Sequence, residues 1–183
     1  MNTHVLLSSL IVASAAAGFG CIDNEVVVTI DLDPIEVCWD AHAPGTFSDS
    51  TTVDSIKNYV PASYRNGLRQ FRIYDFAMQV HNAPSSGAVD GDVFFRFEGG
   101  PTYQVLHFQG SYSDFANGIS VLRSGEHVTI NPDGMNAFLT RLRNPDNLPR
   151  MVVRGQGNAT GPTQSGNFLV CCVVYFQASA LLD

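Results

Sequence analysis

Lysine occurs once in the 183 residues, at Lys57, and Lys and Arg together number 10 against 17 Asp and Glu, a formal net charge of −7. The few basic residues are not clustered. Phosphate backbones are held by concentrated Lys and Arg, so the sequence argues against nucleic acid as a partner. The same shortage argues against peripheral adsorption to anionic lipid. Charged residues make up only 15% of the chain and hydrophobic residues 45%. Disorder requires the opposite balance, so a folded domain is expected. Its solvent faces must then be kept polar by Ser, Thr, Asn and Gln.

Catalytic templates are also missing. There is no Gly-x-Ser-x-Gly elbow, no His-Glu-x-x-His helix and no Gly-x-x-x-x-Gly-Lys loop. The five histidines (His4, His42, His81, His107, His127) stand singly, without ligand-like spacing. No second Cys-x-x-Cys or Cys-x-x-His cluster completes a tetrahedral metal site, so neither metal nor cofactor is expected.

What the chain does have is an N-terminal export pattern. Val5 to Ala17 is an uncharged, mostly apolar run, followed by small residues and then Gly20-Cys21. The run is shorter than the roughly 20 residues that span a bilayer, and its small-residue exit reads as an export signal over residues 1–20. It resembles the signal of bacterial lipoproteins, in which cleavage falls directly before a cysteine that is then acylated. Gly20 matches that pattern, whereas Gly18, Phe19 and the absence of Lys or Arg ahead of the run depart from it. The resemblance covers about 21 residues and implies lipid attachment at Cys21, with the membrane as a partner through that anchor. Ala13-Ser14-Ala15 and Ala15-Ala16-Ala17 also satisfy the small-x-small rule for ordinary secretion, and an uncleaved anchor is the third alternative.

With Cys21 set aside as lipid carrier, Cys38, Cys171 and Cys172 remain, enough for one intrachain disulfide. Vicinal residues in a strand point to opposite faces, so only one of Cys171 and Cys172 can face Cys38. Three buried reduced cysteines are the alternative.

Residues 21–183 read as a single domain, mainly β. Strands are expected at 25–31, 35–39, 70–81, 92–97, 102–108, 151–154 and 167–177, from β-branched content bounded by turn residues. Residues 119–122 and 127–130 read as a short hairpin about Ser124-Gly125. Residues 41–52 carry loop chemistry, and a short helix is expected over 53–59. A longer amphipathic helix is expected over about 132–143: Asn131 caps it, Pro132 and Asp133 suit its first turn, and Met135, Phe138, Leu139 and Leu142 form one apolar stripe. Phe168–Phe176 is apolar on both faces, as in a central strand. Seven to nine strands with one helix point to an antiparallel β-sandwich, with a small barrel as the alternative.

Gly155-Gln-Gly-Asn-Ala-Thr-Gly161 lacks the following helix that a phosphate site needs and reads as a flexible interstrand loop. Its Asn158-Ala-Thr160 is a glycosylation sequon. Asp31-Leu-Asp33 and Asp90-Gly-Asp92 read as solvated turn carboxylates, and His107 and His127 as structural histidines. The polar segment 110–118 carries Tyr112, Asp114 and Phe115 and is the candidate binding loop, because aromatics beside Ser, Asp and Asn compose many contact surfaces.

Together these features point to an exported cell-envelope lipoprotein with a non-enzymatic structural or binding role toward protein or glycan partners. A secreted hydrolase-like enzyme and a small-ligand or carbohydrate-binding module are the alternatives.

Overall fold

The computed structural model describes residues 26–121, 125–143, 150–162 and 166–182. Cys21 and the expected signal segment, residues 1–20, lie outside them. The described chain forms ten strands: β1 (Val26–Asp31), β2 (Ile35–Ala41), β3 (Gly45–Val53), β4 (Leu68–His81), β5 (Ala88–Phe97), β6 (Thr102–Ser111), β7 (Ile119–Ser120), β8 (Val128–Ile130), β9 (Met151–Thr160) and β10 (Phe168–Leu182). Two helices join them, α1 (Tyr112–Phe115) and α2 (Pro132–Leu142). All strand pairings are antiparallel.

The pairings are nested. β5 pairs β6, β4 pairs β7, β3 pairs β9 and β2 pairs β10, so each later strand returns against an earlier one. Two further pairings, β10 with β4 and β9 with β5, roll this ribbon into two sheets. One has the order β2–β10–β4–β7, with β1 continuing β2 along the same edge of β10; the other has the order β3–β9–β5–β6–β8. That winding is the jelly roll, a sandwich without the simple up-and-down order.

Alternation drives each strand into place. In β2, Ile35, Val37, Trp39 and Ala41 are buried while Glu36 and Asp40 are exposed. In β5, Val89, Val93, Phe95 and Phe97 point inward and Asp90, Asp92, Phe94 and Arg96 outward. The expected central strand is β10, flanked by β4 on one side and by β1 and β2 on the other, with Val170, Cys172, Val174 and Phe176 fully buried. Between β1 and β2 the chain bulges at Leu32-Asp33-Pro34, where proline has no N–H to donate to the ladder.

Helix α2 closes the open side between β4 and β6. The Asn131 side chain accepts from the Gly134 N–H at 3.1 Å, capping the helix as expected. Phe138 lies 4.6 Å from Phe95 and 5.2 Å from Phe97, ring centre to ring centre, so the apolar stripe enters the core of the sandwich.

Several expectations are corrected. Residues 45–53 form strand β3, because Phe47 and Val53 pack inward while Thr46, Ser48, Ser50 and Thr52 face solvent. The glycine-rich stretch is no loop: Gly155 to Thr160 continue β9 between β3 and β5. Its small inward residues are needed because a Cβ on Gly155 would collide with the Trp39 indole, and one on Gly157 with the Asp90 carbonyl. Residues 119–120 and 128–130 do not form a hairpin, since β7 joins β4 in one sheet and β8 joins β6 in the other. The expected helix over 53–59 is reduced to a single 3₁₀ turn, Ile56–Tyr59, with Ile56 buried.

Candidate functional site

The cysteines are resolved by register. Cys38 and Cys171 are directly opposed on β2 and β10, with Cα atoms 4.1 Å apart, and a disulfide joins them. Cys172 points the other way and is a buried free thiol, which burial pushes up to about 12.

The candidate loop at 110–118 is a correction. Tyr112 and Phe115 are only 4% and 0% exposed. Tyr112 donates its hydroxyl to the Thr160 carbonyl at 2.8 Å and packs against Phe168, while Phe115 meets Phe108 edge to face. Burial raises the Tyr112 phenol above its ordinary value. Asp114 accepts from the Ser111 hydroxyl at 2.6 Å and from the Ser111 N–H at 2.7 Å. These bonds, Ser111 Oγ first, hold its carboxyl below the ordinary value, and His127 adds to the effect. The segment is a short capped helix that seals the sandwich, and it offers no aromatic surface. Serines around two aromatics look the same in sequence whether the rings point out or in.

The polar groups converge elsewhere, on the outer face of the β3–β9–β5–β6 sheet. Register places Thr46, Asn158, Asp90 and Gln109 side by side across it, then Ser48, Gln156, Asp92 and His107, then Ser50, Arg154, Phe94 and Gln104. Neighbouring strands lie about 4.8 Å apart, so these rows form a grid of hydroxyl, amide, carboxylate and guanidinium groups. Asp92 Oδ1 accepts from Gln104 Nε2 at 2.8 Å and lies 3.1 Å from His107 Nδ1. His107 Nε2 is 3.9 Å from Asp90 Oδ1, so the ring lies between the two carboxylates. Arg154 Nη2 donates to Ser48 Oγ at 3.0 Å. Phe94, partly exposed, supplies an apolar surface among them.

Two depressions lie along this face. One, of about 330 Å³, is lined by residues that include Ser48, Ser50, Phe94, Arg96 and Arg154. The other, of about 280 Å³, is lined by Asp90, Asp92, Gln156 and Asn158 together with Phe47, Gly91 and Gly157.

Of the carboxylate pairs seen in sequence, Asp90 and Asp92 thus become neighbours on an open sheet face, where the turn reading had placed them in solvent. Asp31 accepts instead from Gln177 on β10. Sequence reading missed Gln104, Gln156, Ser48 and Arg154. Their only signal is polar alternation along strands, and it surfaces once the register is known.

No protein-family model matches the chain, and no curated protein matches it.

Among the described residues no helix is long and apolar enough to cross a membrane.

Proposed function

We propose that this chain is an exported, non-enzymatic binding protein of the cell envelope, tethered through acylated Cys21, whose polar sheet face takes a glycan. The observation that carries the ligand class is the grid around Asp92. Polar strand side chains repeat there at spacings that a sugar's several hydroxyls can bridge at once, with Phe94 to cover an apolar sugar face. Carboxylates accept from hydroxyls, and carboxamides both accept from and donate to them, without requiring charge on the ligand. The Gly20-Cys21 exit and the uncharged run before it support the tether.

Jelly rolls serve many roles, so the winding alone does not choose among them. A second reading, a secreted hydrolase-like enzyme, is favoured by the position of His107 between Asp90 and Asp92. Incubating the protein with bound polysaccharide separates the two. The binding reading expects retention with no new reducing ends, and release of reducing ends would favour the enzyme. Mass spectrometry of the mature N-terminus tests the tether, expecting a diacylglyceryl group on Cys21; an unmodified Cys21, or a terminus at Ala16 or Gly18, would overturn it.

A further inference from the structure

The other outer face of the sandwich carries a separate cluster of donor atoms. Glu36 lies on β2, two residues before Cys38, and His81 ends β4 on the far side of β10. One donor atom each from Glu36, His81 and Cys171 lie within 4.8 Å of one another, with His81 Nε2 3.5 Å from Glu36 Oε1. Cys38 is bonded to Cys171, so a second sulfur adjoins the cluster on its β2 side. Both the His81 and Glu36 side chains are about half exposed, at 41% and 50%, free to adjust and open to an entering ion.

We propose that this cluster is a redox-gated zinc site, closed while the disulfide stands and assembled when it is reduced. Two thiolates, one imidazole and one carboxylate form a donor set suited to tetrahedral Zn²⁺. The disulfide takes two electrons and two protons from a dithiol, which becomes its own disulfide, and Cys38 and Cys171 become thiols. Binding of Zn²⁺ then releases a proton from each, and His81 ligates as neutral imidazole. Cys38 and Cys171 sit opposite each other with Cα atoms 4.1 Å apart, so both sulfurs stay on the same side of the sheet after reduction. Cys172 faces the core and cannot join them. The four donors come from three strands that are neighbours only through the jelly-roll winding, which is why sequence spacing carries no sign of them.

The test uses the mature protein and a Cys172→Ala variant, each treated with a water-soluble phosphine, which reduces the disulfide and ends as its oxide without supplying thiols. Zinc is titrated against a chromophoric chelator, cobalt absorption reports thiolate ligation, and far-ultraviolet circular dichroism follows the fold. Both reduced proteins are expected to bind one Zn²⁺ per chain and the oxidised proteins none. Cys38→Ser and Cys171→Ser should abolish binding, and His81→Ala and Glu36→Gln should each weaken it at least tenfold. Equal binding by His81→Ala and Glu36→Gln would overturn the proposal, as would binding by the oxidised protein. Failure of the reduced protein to bind would overturn it too, including the case in which the chain unfolds and zinc does not restore it.

Discussion

Trp39 and Gly155 pack face to face across the sandwich, the indole of β2 lying where a side chain at position 155 would otherwise stand. Trp39 is fully buried, and its Nε1–H has no hydrogen-bond partner among the described residues. The contact is therefore one of shape alone. Gly155→Val should destabilise the protein by about 3 kcal/mol or more, because the added carbons meet a ring fixed within a packed core. Trp39→Phe loses no hydrogen bond and should cost less, about 1–2 kcal/mol. Urea unfolding midpoints of the two variants check the order, and equal costs would contradict it.

The disulfide closes a loop with a sequence separation of 133 residues. In the chain-entropy view a loop of that size restrains the unfolded state by about 5 kcal/mol, so a Cys38→Ala, Cys171→Ala double variant should lose a large share of the protein's stability. Thermal melting with and without reductant provides the measurement; a wild-type protein unaffected by reduction would contradict this account.

Thiol counting tests the anchor by a route independent of mass spectrometry. Cys172 is buried and its thiol titrates high, so the native, non-reduced protein should react slowly or not at all with a disulfide reagent. In denaturant without reductant, one thiol should appear if Cys21 is acylated. Two would mean that Cys21 is free.

Acid should weaken the seal at α1. The Asp114 carboxyl is held below its ordinary 3.8, chiefly by the Ser111 hydroxyl and then the Ser111 N–H. The folded state thus releases that proton more readily than the unfolded chain. Its contribution to stability is complete above the unfolded carboxylate value and is lost as pH falls through the lower, folded one. Asp114→Asn should therefore lower the melting temperature relative to wild type at pH 7, with the gap shrinking toward pH 3. A constant gap would assign the effect to something other than the charge.

Legibility in the sequence followed how local each feature is. β10 could be read directly, because a run apolar on both faces is stable only when covered on both sides, and α2 could be read from its cap and stripe. β3 escaped because its outward Ser and Thr residues outnumber the inward Phe47 and Val53, which makes an edge strand resemble a loop. β9 escaped because its glycines answer to Trp39 and to the β5 backbone, partners far away in sequence. The candidate loop at Tyr112 and Phe115 was misread for the same reason: the rings' neighbours, Phe168 and Phe108, come from other strands. The polar face around Asp92 is a property of register between four strands, and no single segment announces it.

The most direct test of the central proposal is a screen of the mature protein and its Asp92→Ala variant against immobilised glycans, followed by calorimetry on any hit. Asp92 is partly exposed on a sheet face, so its removal should leave the fold intact by circular dichroism. The account predicts that at least one glycan class binds the wild-type protein and that Asp92→Ala weakens that binding at least tenfold. A protein that binds no glycan, or one whose binding is indifferent to Asp92, would contradict it.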